Sequence, residues 1–142
     1  MIRTLRGTVD ANQGVRRLIV DDGNPTHAYR VVEFHVISND PSTSAGDCYG
    51  TLSLSEDGAR TWTLSDNRQI GWAGHVLNGT SAPVNTMSVI DPDHIVVRDL
   101  WVFGEGTTSA PGYQYLVVLE KLDISEDRAV LALIKERSQD DI

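Results

Sequence analysis

One cysteine is all that this chain of 142 residues contains, so no disulfide can form within it and a hydrophobic core must hold the fold. Nothing basic lies close to Cys48 in the sequence to lower its pKa, which makes it a small hydrophobe in or beside a strand, not a reactive thiol. Lysine is scarce as well: two Lys stand against ten Arg, and the net charge is −8. That balance argues against a nucleic-acid binder held by phosphate contacts and against docking on an anionic membrane. No apolar run approaches the roughly 20 residues that a membrane-spanning helix needs. The first residues, Met1 to Gly7, alternate in polarity instead of forming the apolar stretch of a signal peptide. The chain therefore reads as soluble and made in a cytoplasm, and Asn78-Gly79-Thr80 reads as a turn and not as a glycosylation site.

Signatures of chemistry are also missing. There is no Gly-x-Ser-x-Gly, no P-loop and no dinucleotide fingerprint, and Gly104-Glu105-Gly106 is a lone Gly-x-Gly that reads as part of a hairpin loop. His27, His35, His75 and His94 form no metal-ligand spacing with one another or with Cys48. His35 is expected on the polar face of a strand and the other three in loops. Asp21-Asp22-Gly23-Asn24 and Asp91-Pro92-Asp93 match no calcium loop and read as turns whose Asp side chains bond their own backbone. Glu33, Glu105 and Glu120 have nothing in their spacing to suggest the shared cleft that a glycosidase needs, and Glu120 is expected to pair with an Arg or Lys on a strand face. No catalytic, cofactor-binding or metal-binding residue is assigned on this reading, and the chain is taken as a non-enzyme.

What is present is strand-like sequence, punctuated by turns and closed by a helix. Strands are expected at Met1–Val9, Val15–Asp21, Ala28–Ser38, Gln69–Val76, Thr86–Ile90, His94–Phe103 and Tyr113–Leu122, with His94–Phe103 central and buried on both faces. Thr51–Ser55 and Thr61–Ser65 alternate on either side of Asp57-Gly58 and read as a hairpin. Residues 39–47, 77–85 and 104–112 are small and polar and read as loops. Ser125 is a good N-cap, Glu126 and Asp127 suit the first turn, and Val130, Leu131, Leu133 and Ile134 follow helical spacing, so one α-helix is expected over 125–137. The whole, residues 1–142, reads as a single all-β domain: a jelly-roll-like β-sandwich of about eight strands with one C-terminal helix, an up-and-down barrel being the alternative. Trp62, Trp72 and Trp101 lie in apolar strand patterns and are expected in the core; a pair of them exposed on one sheet face would instead point to a sugar-binding surface.

The order of certain segments resembles small virion structural proteins, capsid-associated, of marine tailed bacteriophages. The segments are Arg3-Thr-Leu-Arg-Gly-Thr-Val9, Asp21-Asp-Gly-Asn24 leading into Tyr29-Arg-Val-Val-Glu-Phe34, Ser65-Asp-Asn-Arg-Gln-Ile-Gly-Trp-Ala73, Ile90-Asp-Pro-Asp-His-Ile-Val-Val-Arg-Asp-Leu100, and Tyr115-Leu-Val-Val-Leu-Glu120 running into Ile124-Ser-Glu-Asp-Arg-Ala-Val-Leu131. The resemblance spans most of the chain, rests on order and not on a catalytic signature, and carries over no site residues. It implies a β-sandwich present in many copies in a virion.

On that basis the leading expectation is a capsid decoration or cement protein that bridges subunits of the major capsid protein or other virion proteins. It would work without cofactors, nucleic acid or membrane, and as a homo-oligomer, dimeric or trimeric. An acidic exterior suits an Arg-rich capsid lattice. A phage tail adaptor or fibre-associated module fits the same features. A carbohydrate-binding β-sandwich module is the expectation of another class, and a small β-barrel enzyme is the remaining one.

Overall fold

The computed structural model describes residues 2–10, 14–24, 26–38, 48–58, 62–76, 85–106 and 112–123. They form eight strands: β1 (Ile2–Val9), β2 (Gly14–Ile19), β3 (His27–Ser38), β4 (Cys48–Ser53), β5 (Gln69–Val76), β6 (Asn85–Ile90), β7 (Asp99–Gly106) and β8 (Tyr113–Asp123). Every ladder is antiparallel. One sheet has the order β1-β8-β3 and the other β2-β7-β4-β5-β6. The fold is all-β and sandwich-like. The expected helix over 125–137 lies outside the described residues, as do residues 39–47, 77–84 and 107–111 of the expected loops, whereas Gly104, Glu105 and Gly106, expected in the last loop, belong to β7 because they pair with β4, and Gly104 also with β2. No helix among the described residues is long and apolar enough to cross a membrane.

Period-two patterning explains the layers. In β8, Tyr113, Tyr115, Val117 and Leu119 are buried, and the intervening residues face outward. From β3 come Tyr29, Val31, Phe34 and Val36, and from the opposing sheet Leu18, Leu52, Ile70, Ala73, Leu100 and Val102, all in one core cluster. Leu52, Leu100, Val102, Val117, Leu119 and Phe34 have no exposed surface at all. At one end of the core the Tyr113 ring lies against Gly104 and its hydroxyl donates to Gly14 O and Val102 O, at 2.7 and 3.2 Å. A β-bulge between Val31 and Glu33 inserts Val32, which lets Phe34 and Val36 keep facing inward after the two charged or exposed positions.

Because each odd-numbered strand pairs only with even-numbered ones, the strand ends sort into two groups. Val9, Ser38 and Tyr113 share a register row in the smaller sheet, and Gly106, Cys48, His75 and Thr86 share one in the larger. The Tyr113–Gly14 bond joins the two rows. The strand ends that bound residues 10–13, 39–47, 77–84 and 107–112 thus meet at one end of the molecule. The opposite end carries residues 20–24, 54–58, 62–68 and 91–98.

Two expectations require correction. The partner of β4 is not Thr61–Ser65 but β5, with Ser53 opposite Gln69. Gln69–Val76 wins because it supplies Ile70 and Ala73 to the core, whereas Trp62 and Leu64 remain 40% and 69% exposed. Residues 54–58 and 62–68 instead leave the sheet and are held by caps: Ser55 N–H donates to Ser53 Oγ, Gly58 N–H to Ser55 Oγ, Leu54 N–H to Arg68 O and Thr63 N–H to Gln69 Oε1. The second correction concerns His94–Phe103, which is not one strand. Val96 bridges Tyr29 through two backbone bonds of 2.8 Å, and Arg98 O accepts from Val20 and Asp21 N–H. The Tyr29 bonds hold Val96 to the smaller sheet, the Arg98 bonds tie the chain to the residues that follow β2, and only from Asp99 does it join the larger sheet as β7, between β2 and β4.

Candidate functional site

An open groove of about 580 Å³ lies at the end where residues 10–13, 39–47, 77–84 and 107–112 are bounded. Two cross-strand rows on the outer face of the smaller sheet form one wall: Arg6, Leu116 and His35, then Thr8, Gln114 and Ile37. The groove then runs past the end of β3 to His75, Thr86 and Met87 of the larger sheet. β6 comes that close to β3 because Ser88 Oγ donates to Phe34 O at 2.7 Å. Arg6, the imidazoles and the Gln114 amide give the groove hydrogen-bond donors, and no carboxylate is among its described lining residues. Glu33 Oε1 lies 3.8 Å from His35 Nε2 at its margin. Such a surface suits an acidic or hydroxyl-bearing segment of a partner.

A second surface lies on the outer face of the larger sheet. Tyr49 and Trp62 stack with ring centroids 5.5 Å apart and planes 13° from parallel. The Tyr49 hydroxyl donates a short hydrogen bond to Glu105, which pushes the phenol up to about 12. Only Trp62 of the three tryptophans is well exposed. Trp72 is buried and donates to Gln69 Oε1 at 2.8 Å, and Trp101 is half-buried under the Arg17 guanidinium. Core placement therefore holds for Trp72 and fails for Trp62, because Trp62 stacks on Tyr49 at the sheet's outer face and stays 40% exposed.

The opposite end of the molecule is acidic and self-bonded. Asp22 accepts from the His27 ring at 2.7 Å and from the Asn24 N–H and Tyr29 hydroxyl at 3.0 and 3.1 Å; these bonds, His27's first, hold its carboxyl at about 2. Asp66 is likewise lowered by its fork of bonds from Arg68 Nε and Nη2, at 2.9 and 2.8 Å. Asp21 and Asp91 accept from backbone N–H groups two residues on, as expected for turns.

His94 was expected in a loop, and it is, but it is buried. Its Nε2 accepts the Val31 N–H at 3.0 Å, so the proton is on Nδ1, which donates a short bond to Asp91 O. Both nitrogens are committed, and burial lowers the pKa of the ring. His75 is not in a loop at all: it sits in β5 opposite Cys48, and both are buried. Cys48 is the small buried hydrophobe expected, its thiol pushed up to about 12 by burial. The four histidines do not come together, and among the described residues no three His, Cys, Asp or Glu side chains converge to hold a metal ion. Glu33 and Glu120 occupy outward positions on β3 and β8, with Arg30 opposite Glu120, while Glu105 is tied to Tyr49. The groove itself was not foreseeable from spacing, since its walls come from five strands. No protein-family model matches the chain, and no match is found among curated proteins or solved structures.

Proposed function

We propose that this chain is a non-enzymatic virion structural protein, a capsid decoration or cement protein that bridges neighbouring capsid subunits. The observation that carries the reading is the strand order. An antiparallel ribbon of eight strands, rolled up, joins the first strand to the eighth, the second to the seventh, the third to the sixth and the fourth to the fifth. Three of those four unions exist here as ladders, β1 with β8, β2 with β7 and β4 with β5. The third and sixth strands meet through the Ser88–Phe34 bond while β6 pairs with β5. That order supports a jelly roll with its sixth strand moved to the other sheet, and viral capsid domains are among the proteins built that way. The step from fold to role is an analogy, joined to the resemblance of segment order described above.

Two further features fit. The described carboxylates and imidazoles mostly bond their own backbone or each other, as in a rigid scaffold. The groove lined by Arg6, His35 and His75 offers donors to a partner's acidic segment, although the chain as a whole carries −8. The partner on this reading is the major capsid protein, the location is the virion, and neither nucleic acid nor membrane is involved. Purified expanded capsids should retain the protein and lose shell integrity at a higher temperature with it than without it. Capsids that neither bind it nor gain heat resistance would reject the decoration role.

A second reading is favoured by the Tyr49–Trp62 stack. An exposed indole face beside the Glu105 carboxylate is suited to a sugar ring, and lectin domains share the jelly-roll architecture. A sugar stacked there quenches or shifts Trp62 fluorescence in wild type but not in Trp62→Ala; no saturable change with any sugar tested removes this reading.

A further inference from the structure

We propose that β6 is a self-docking edge: it pairs antiparallel with β6 of a second copy across a two-fold axis through Ser88, joining the two five-stranded sheets into one. The inference does not depend on the virion reading, because it follows from how the four sheet edges are protected.

An edge strand with open N–H and C=O groups invites another strand unless charge, proline or a bulge prevents it. Three of the edges carry such protection. β1 has Arg3 and Arg6, and Arg3 closes onto β2 by donating to Val20 O and Ile19 O, at 2.8 and 3.3 Å. β2 has Arg16 and Arg17. β3 has Arg30, Glu33 and the bulge at Val32. β6 reads Asn-Thr-Met-Ser-Val-Ile, with no charge and no proline, and its side-chain tie to the smaller sheet is the Ser88 Oγ bond to Phe34 O. Thr86, Met87, Ser88 and Val89 are all exposed in succession, Met87 and Val89 by 45% and 46%. In a chain of net charge −8, this is the one edge among the described strands on which a second copy meets no charge within the strand.

The ladder fixes the register such a pair would take. Asp91 N–H donates to Ile70 O, and the same spacing continues through Ile90–Gly71, Val89–Trp72 and Met87–Gly74. In an antiparallel ladder, bonded positions alternate. Asp91, Val89 and Met87 therefore spend their backbone groups on β5, and Thr86, Ser88 and Ile90 turn theirs to the open edge. A two-fold axis at Ser88 sets Ser88 against Ser88 of the second copy and Thr86 against Ile90 of the second copy, through backbone groups that the ladder turns away from β5, while the Ser88 hydroxyl keeps its bond to Phe34 O. The same register places Met87 beside Val89 of the second copy on the outer face, apolar against apolar. Asp91 then stands opposite residue 85 of the second copy, an Asn, so no two carboxylates meet. The strand thus complements itself, which is the condition for an isologous contact.

Sedimentation velocity on the full chain tests this with two single variants, Met87→Lys and Val89→Glu. Wild type dimerises as its concentration is raised toward millimolar. Each variant alone binds itself at least tenfold more weakly, because a charge is set against an apolar side chain twice per dimer. An equimolar mixture of the two regains dimer, since Lys at 87 then faces Glu at 89 of the other copy. Far-UV circular dichroism and thermal melting verify that these exposed positions leave the fold intact; should a charge unfold the chain, the double variant Met87→Thr/Val89→Thr, which keeps strand-forming residues, must weaken the dimer instead. A monomeric wild type, variants that dimerise as wild type does, or a mixture that stays monomeric would each overturn the proposal. Failure here leaves capsid binding untouched, and failure to bind capsids leaves this dimer untouched.

Discussion

At the scale of single residues, His94 and Gly104 show how little slack the fold has. His94 is held neutral by Val31 N–H on one nitrogen and Asp91 O on the other, and burial depresses its pKa below the ordinary 6.5. With the folded value lowered, the unfolded chain binds the proton more readily, so the contribution of His94 is complete above the ordinary value and is lost as pH falls through it toward the folded pKa. Denaturation midpoints measured between about pH 8 and 5 should fall with pH in wild type and fall less in His94→Gln. His94→Ala, which strands a buried Val31 N–H, should cost about 1–3 kcal/mol at pH 8; equal pH slopes for wild type and His94→Gln would contradict this account of the ring. Gly104 makes a complementary case. A Cβ there would stand 2.5–2.7 Å from the Tyr113 ring, whereas one at Gly74 would meet Trp62 at 3.5 Å and Cys48 O at 3.8 Å, both ordinary contacts. Gly104→Ala should therefore lose about 1–3 kcal/mol, and Gly74→Ala should stay within about 0.5 kcal/mol of wild type, in parallel urea titrations. Neither residue announces itself in the sequence: a histidine after Asp-Pro-Asp and a glycine in Gly-Glu-Gly look like turn punctuation, and only the opposing sheet makes them matter.

At the scale of elements, the strands were legible wherever alternation and burial agree. β1, β3, β5, β6 and β8 fall within a residue or two of expectation because a two-residue period sorts core from solvent in each. The Asp57-Gly58 hairpin was misread for a physical reason. Its local pattern is good, but Trp62 and Leu64 had to compete with Ile70 and Ala73 for β4, and the pair that reaches the core won. The bulge in β3 had no signal at all. Its role is nonetheless testable: deleting Val32 shifts every later side chain of β3 to the other face and turns Phe34 outward. The deletion variant should lack cooperative unfolding, whereas Val32→Thr, which keeps the residue count, should melt close to wild type. A well-folded deletion variant would mean that the bulge does not set the register.

At the scale of the whole molecule, the all-β class and the single cysteine's burial could be read in advance, but the sheet order could not, because it depends on contacts between residues as far apart as Ile2 and Glu120. The same is true of the groove between Arg6, His35 and His75, and of the uncharged edge at β6. These surfaces, and not a reaction centre, are what the account asks to do the work. Its central claim, that the chain is a component of a capsid shell, is tested most directly by immunogold labelling of intact particles with antibodies raised against this protein. The account predicts gold distributed over the head in many copies per particle. Gold confined to the tail, or particles left unlabelled while the protein remains free in the lysate, would contradict it.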